Sequence, residues 1–244
     1  MMATRCPLLL AVFVAACGDP DPEIVQGSAV DHGLALFNDP AVAGTTINSY
    51  ACSTCHQAVA ATTDRIFVGA PLAGAIERPT YWGGTRLLLL DAINDCLTIF
   101  MFKSEPWTGD EIEARAMFAY LESLPANAAD VEPAPFTIVA AIEPATGGDA
   151  SNGADVYQRA CAQCHGAAHT AADRPIPTAT LLPEGANDGH PPPSYDAADR
   201  AFIFVEKARH GAFLFYDGTM PPFSAENLSD GDLADLVAFL GPYD

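Results

Sequence analysis

The sequence predicts an all-α protein in which two small helical domains follow one another along the chain. A five-residue pattern, Cys-x-x-Cys-His, occurs twice, at residues 52–56 and 161–165. Each copy follows a short helix pattern containing a glycine and an aromatic residue, and precedes a Pro- and Gly-rich loop and a closing amphipathic helix. The chain has 244 residues, which is enough for two domains of about 100 residues, the commonest size.

The first seventeen residues predict a signal peptide of the lipoprotein type. Arg5 precedes an apolar run over residues 7–16, which is too short to cross a bilayer as a mature helix. The run ends in Val-Ala-Ala-Cys, which resembles a bacterial lipobox and implies a lipid on Cys17; an ordinary signal peptide is the alternative. Both interpretations place the mature protein in the periplasm or cell envelope. Residues 18–28, rich in Asp and Pro, are expected to form a tether.

The first domain is predicted over residues 29–126. Gly33 and Phe37 lie one helical turn apart in the opening helix. The closing helix is expected to begin at Thr108, an N-cap candidate followed by acidic residues, and to stop at Pro125.

A linker is predicted over residues 127–148 and the second domain over residues 149–244. The linker contains one apolar piece, residues 136–142, which we expect to be extended and packed along a domain surface. The second domain repeats the signals of the first, since Gly153 opens a helix and Ser229 precedes a closing amphipathic helix.

The repeated pattern predicts covalent attachment of two c-type haems. Two thiols three positions apart can form thioether bonds to the vinyl groups of one haem, and the next residue can ligate its iron. The alternatives are disulfides or a shared zinc ion. The predicted attachment residues are Cys52 and Cys55 with proximal His56, and Cys161 and Cys164 with proximal His165.

Both halves resemble the class I cytochrome c family at these motifs, and the second half does so also at a Met-Pro pair before its last helix. The resemblance implies tandem cytochrome c domains, with Met220 as distal ligand of the second haem and Pro221 stiffening its loop. His210 is the alternative ligand, although we expect it to be a surface residue. In the family the first and last helices cross closely, which implies the contacts Gly33–Tyr120 and Gly153–Phe239.

The distal ligand of the first haem has two candidates. Met101 precedes the closing helix at nearly the spacing of Met220 but lacks the following proline, and Cys96 lies five positions earlier. On a helical segment we expect these two side chains to be interchangeable only if the segment shifts. A thiolate ligand would lower the reduction potential of that haem, whereas a thioether would raise it.

The resemblance also implies a carbonyl partner for each proximal histidine, which would orient the ring and raise its basicity. We expect the Pro71 carbonyl to serve His56, and Pro175 or Pro177 to serve His165.

The net charge of −20, from 31 acidic and 11 basic residues, argues against nucleic acid and against direct docking on anionic lipid. Any membrane contact is expected only through a lipid on Cys17. The charge suits redox partner proteins with a basic docking face, and solubility alone would explain it equally well.

These features favour an exported di-haem electron carrier over an enzyme. The segment from Cys96 to Met101, with the helix after it, also resembles di-haem thiosulfate dehydrogenases, in which a cysteine ligates the catalytic haem. The Arg-Ser-Met-Asn-Gly run of that family is absent here, which leaves Arg86 and Lys103 as the nearby cations for an anionic substrate. A di-haem peroxidase is a weaker alternative, because no acid/base residue for peroxide cleavage is evident.

Overall fold

The computed structural model describes residues 26–60, 63–212 and 218–241. Throughout these ranges the regular elements are helices, and the only β pairing is an isolated bridge between Tyr81 and Arg86. The predicted all-α fold class is therefore confirmed. No helix within the described ranges has the length and hydropathy needed to cross a bilayer. The signal peptide, Cys17 and most of the tether lie outside the described residues.

The helices occur in two sets that follow the two sequence motifs. The first set contains two one-turn 3₁₀ helices, a π-helix and four α-helices: α1 (Gln26–Asn38), α2 (Cys52–Cys55), Ala75–Glu77, Trp82–Gly84, α3 (Leu89–Asp95), the π-helix Cys96–Phe100 and α4 (Ile112–Ser123). The second set contains α5 (Ala150–Ala160), α6 (Ala162–His165), α7 (Glu184–Asp188), α8 (Ala197–His210) and α9 (Asp230–Leu240). Helix α1 already includes residues 26–28, which the sequence analysis gave to the tether.

In each set the first and last helices cross at a glycine. A Cβ atom on Gly33 would lie 2.5 Å from Cβ of Tyr120, and one on Gly153 would lie 2.6 Å from Cβ of Phe239. Both distances are shorter than van der Waals contact, so neither crossing has room for a side chain at the glycine. The two glycine–aromatic contacts implied by the family resemblance are confirmed.

The sequence predicts the start of α9 correctly and misses the starts of α4 and α8. Ser229 caps α9 as predicted, because its hydroxyl accepts from the Asp232 amide at 3.1 Å. Thr108 is not the N-cap of α4. That helix begins at Ile112, and its N-cap residue, Glu111, makes no capping hydrogen bond through its side chain. Helix α8 was not predicted, although Asp196 caps it by accepting from the Asp199 amide at 2.8 Å.

The two sets pack against each other. The first apolar core surrounds Leu97 and Met117, and it also takes in Ile176, which belongs to the loop after the second motif. The second core surrounds Tyr157 and Leu236, and Ile66 from the first half packs against it. Each half therefore contributes apolar side chains to the core of the other.

The apolar piece of the linker is packed against its neighbours, as predicted. Phe136 meets Trp82 edge-on, with ring centroids 5.1 Å apart, while Thr137 donates through its amide to the Glu226 carboxylate at 3.0 Å. Nε2 of His210 lies 2.6 Å from the Val139 carbonyl oxygen. The linker thus contacts both sets of helices.

Candidate haem-binding sites

The first motif forms one turn of helix at the edge of an apolar cavity. Helix α2 carries Cys52 and Cys55, and the His56 amide closes the turn by donating to the Cys52 carbonyl at 2.9 Å. All three side chains line the same cavity. Burial raises the pKa of the Cys52 thiol to about 11 and also raises that of Cys55, so both thiols are protonated at neutral pH.

His56 is held by a backbone carbonyl. Its Nδ1 lies 2.9 Å from the Ala70 oxygen, and because a carbonyl can only accept, Nδ1 carries the proton and Nε2 keeps its lone pair. Burial lowers the pKa of the ring, which favours the neutral, ligating form. The prediction that the Pro71 carbonyl is the partner was wrong by one residue, because that carbonyl accepts from Arg78 Nη2 at 2.9 Å.

The glycine beside His56 allows the backbone to pass directly against the imidazole. Gly69 donates its amide to the Cys55 carbonyl at 3.0 Å, and a Cβ atom at Gly69 would lie 2.7 Å from Nε2 of His56 and closer still to two other ring atoms. Segment 69–70 therefore restricts the imidazole ring through the close approach of Gly69 and the hydrogen bond from Nδ1 to Ala70.

The cavity suits a haem in its chemistry. Two thiols and a neutral imidazole lie along one side, and the remaining lining is mainly apolar, including Leu72, Leu97 and Phe136. Trp82 also lines the cavity and stacks on Phe100, with ring centroids 5.9 Å apart. This donor set fits a c-type haem.

The π-helix brings both distal candidates to the same cavity. The Met101 amide donates to the Cys96 carbonyl at 3.2 Å, an i to i+5 bond, and both side chains line the cavity. The sequence analysis assumed ordinary helical geometry for this segment, whereas the structure has a wider π-turn there. Burial raises the pKa of the Cys96 thiol to about 12.

The second motif has the same arrangement at the junction of α5 and α6. Cys161 is buried after α5, while Cys164 and His165 lie on α6. Burial raises the pKa of Cys161 to about 12 and lowers that of His165. His165 Nδ1 lies 2.6 Å from the Thr180 carbonyl, which leaves Nε2 for a metal. Thr180 replaces the predicted Pro175 or Pro177 as carbonyl partner.

Met220 lies beside the second core, and its carbonyl accepts from the Ala212 amide at 2.7 Å. The segment after it is fixed by Arg209, whose side chain is almost completely buried. Arg209 Nη1 donates to the Leu228 carbonyl at 2.6 Å and more weakly to Phe223 and Ser224, while Nη2 meets Asp230 at 2.6 Å. This role could not be predicted from the sequence, because buried and exposed arginines look alike in a helical pattern.

His210 is not a surface residue, contrary to the prediction. It is 4% exposed, its Nδ1 lies 2.5 Å from the Glu206 carboxylate, and its Nε2 lies 2.6 Å from the Val139 carbonyl. Both ring nitrogens therefore face acceptors of the chain, which makes His210 an anchor of the linker and removes it as a rival to Met220.

Of the two cations predicted for an anionic substrate, Arg86 already has a carboxylate partner, whereas Lys103 forms no ion pair among the described residues. Arg86 makes a bidentate pair with Asp95, at 2.6 and 3.2 Å. Arg78 lines the cavity, but its guanidinium donates to the carbonyls of Pro71, Ala73 and Asp130. Neither side chain is positioned as a dedicated anion receptor.

The alternatives to haem find no support in the described part of the chain. Its five cysteines form no disulfide. Across the same ranges, His, Cys, Asp and Glu side chains form no group of three or more that could hold a metal ion, as a shared zinc would require.

Residues 148–240 match the family model for cytochrome C oxidase, cbb3-type, subunit III. The second half of the chain is thus a cytochrome c domain, and such a domain carries covalently attached haem c and serves electron transfer. The class I cytochrome c resemblance predicted from the motifs is confirmed there. A comparison with curated proteins gives no match.

Among solved structures, the chain is similar to the thiosulfate dehydrogenase TsdBA from Marichromatium purpuratum in its as-isolated form, with 18% identity and a TM-score of 0.43. The similarity covers 90% of this chain and 46% of that chain, so this chain spans about half its length. An identity this low does not transfer the activity of that enzyme.

Proposed function

We propose that this chain is an exported di-haem c-type cytochrome that transfers electrons between redox proteins. The observation that carries the proposal is the repetition of one donor set. In each motif, two cysteines precede a histidine whose Nδ1 is bound to a carbonyl, at 2.9 Å for His56 and 2.6 Å for His165. Each bound haem would supply one-electron chemistry at its iron.

The residues of the chain would hold each haem rigidly. The thioether cysteines fix it covalently, and the carbonyls of Ala70 and Thr180 orient the proximal rings and make them better donors. The apolar cavity lowers the local dielectric, and Met220 would raise the potential of the second haem as a thioether ligand. Rigid sites of this kind need little rearrangement when an electron arrives or leaves.

A carrier is favoured over an enzyme because Arg86, one of the two cations predicted for an anionic substrate, is already paired with a carboxylate. Thiosulfate is an anion, and a site for it needs a cation directed at the iron. Arg86 is paired with a carboxylate and Arg78 with three carbonyls. The observation that supports the thiosulfate dehydrogenase alternative is the position of Cys96 in the first cavity.

The remaining parts of the proposal concern location and partners. A lipid on Cys17 would hold the protein at a membrane within the cell envelope. The net charge of −20 would steer it toward partners with a basic docking face. Association with such partners would then weaken as ionic strength rises.

Spectra of the oxidised protein, together with Cys96→Ala and Met101→Leu, test the assignment. A methionine-ligated carrier keeps its ferric Soret and near-infrared bands in Cys96→Ala and loses a sulfur-to-iron band in Met101→Leu. The reverse pattern, together with turnover of thiosulfate, would replace the carrier by the enzyme. Peroxide turnover in the same assay would indicate a peroxidase.

A further inference from the structure

A short segment, residues 64–69, lies between the two haem-attachment motifs. On one side, the Gly69 amide donates to the Cys55 carbonyl at 3.0 Å. On the other, the Ile66 amide donates to the Arg159 carbonyl at 2.8 Å, and Arg159 Nε donates back to the Asp64 carbonyl at 2.6 Å. Because Arg159 belongs to the helix that leads into the second motif, this segment joins the two motifs through the backbone.

Arg65 is the cation of this segment, and it faces both motifs. Its Nη2 donates to the Thr54 carbonyl, inside the first motif, at 2.5 Å. Its guanidinium carbon lies 4.1 Å from the ring centroid of Phe67, a cation–π geometry. Cys55 and Cys164, one from each motif, oppose the lowering of the pKa of the guanidinium that burial causes.

The charge of Arg65 is not neutralised by a carboxylate within the described ranges. Its Nε is buried and has no hydrogen-bond partner among the described residues. Burial accordingly lowers the pKa of the guanidinium, although arginine remains charged at any physiological pH. An uncompensated, partly buried cation costs free energy, so its position calls for a role.

The two sites also meet directly at this boundary. The hydroxyl of Tyr50, which lines the first cavity, lies 3.3 Å from Oγ1 of Thr219, the residue before Met220. Burial raises the pKa of this tyrosine to about 12. Pro221 and Asn227 from the second half also line the first cavity. Segment 64–69, which carries Arg65, is thus bonded to the first motif and to the helix before the second, while residues of the second half line the first cavity.

We propose that Arg65 is a positioning residue whose single positive charge is shared by the two haem sites and raises the reduction potential of both. The inference rests on the proposed function, because it requires two haems. A positive charge favours the reduced iron, which carries one positive charge less, and a low local dielectric strengthens that effect. Because both reduction potentials would depend on the same charge, a change in the environment of Arg65 would shift both in the same direction.

The test is a spectrally resolved redox titration of the di-haem protein and its variants. In Arg65→Gln we expect both midpoint potentials to fall, each by roughly tenfold in the reduction equilibrium constant, or about 59 mV for a one-electron couple. Arg65→Lys restores the charge and should restore both potentials. Arg115→Gln, which removes an exposed arginine of α4 outside the cavity, is the charge-matched control and should leave both unchanged.

Three outcomes decide the proposal. A fall at both haems in Arg65→Gln, reversed in Arg65→Lys, supports it, whereas a fall at one haem or at neither overturns it. If Arg65→Gln does not mature, Arg65→Met, which keeps the aliphatic stem against Phe67, gives the same measurement. Haem content is measured first on the unaltered protein: fewer than two haems would refute the proposed function, and a full content with unmoved potentials would refute only the role of Arg65.

Discussion

The crossing of α5 and α9 allows a quantitative test of the packing. In Gly153→Ala, the new Cβ would lie 2.6 Å from Cβ of Phe239 and equally close to the carbonyl carbon of Asp235, with the Asp235 oxygen nearer still. Most of these atoms are backbone, so no rotamer change relieves the overlap and the helices must separate. Overpacking of this kind costs about 1–3 kcal/mol, and rigid neighbours place it at the upper end.

Helix propensity opposes this cost, because alanine in a helix is favoured over glycine by about 1 kcal/mol. The net expectation for Gly153→Ala is a loss of about 1–2 kcal/mol, measured by urea unfolding of the haem-loaded protein. Gly231→Ala is the matched control in α9. Its nearest neighbour would be Ser229 Oγ at 3.6 Å, an ordinary contact, so propensity acts alone and stability should rise by up to about 1 kcal/mol.

At the melting temperature, 1 kcal/mol corresponds to about 2–4 °C for a chain of this size. Gly153→Ala should therefore melt lower than the unaltered protein and Gly231→Ala slightly higher. Equal stabilisation by both substitutions would refute the reasoning, since it would mean that the two helices do not approach as closely as the structure has them.

Three further predictions concern single contacts. Hydrogen bonds from Thr137 lower the pKa of the exposed Glu226 carboxyl from 4.5 to about 2. The stabilisation from this carboxylate is therefore complete above pH 4.5 and is lost as the pH falls toward 2. Glu226→Gln should cost at most about 1 kcal/mol at pH 7, and its difference in unfolding free energy from the unaltered protein should shrink across that acid range. Arg209→Met removes the guanidinium donor of the buried Phe223 and Leu228 carbonyls and should cost about 3 kcal/mol in urea unfolding, whereas a loss below 1 kcal/mol would contradict its anchoring role. Gly69→Ala should displace the His56 ring and change the ferric Soret spectrum, and an unchanged spectrum would show that the ring has room to move.

Much of this architecture could be predicted from residue types and their spacing. The two Cys-x-x-Cys-His motifs need fixed side chains at fixed spacing, and the helix crossings need a glycine opposite an aromatic residue, so both are visible in the sequence. The same holds for the Ser229 cap, because only a short polar side chain can satisfy the first amides of α9.

Other features depend on the position of the backbone and cannot be predicted from the residue types or their spacing. Any residue has a carbonyl, so nothing in the sequence distinguishes Ala70 from Pro71 as the partner of His56. The π-turn that brings Met101 beside Cys96 is one hydrogen-bond register away from an α-helix, with no residue type to mark it.

Long-range contacts were missed for a related reason. The burial of His210 and the position of Arg65 between the two motifs depend on how the halves pack, and local periodicity carries no information about that. The clearest sequence signal for a role of Arg65 is its position in a loop between the two attachment motifs. By itself, such a position is typical of a solvated cation.

The central claim is that both motifs hold a covalently attached haem. Intact mass of the mature protein, combined with a pyridine haemochrome assay, measures haem per chain directly. The account predicts two haems that resist acid-acetone extraction, falling to one when Cys161 and Cys164 are both replaced by serine and also when Cys52 and Cys55 are both replaced. A protein with one haem that is unaffected by the Cys52 and Cys55 replacements would contradict the account of the first half.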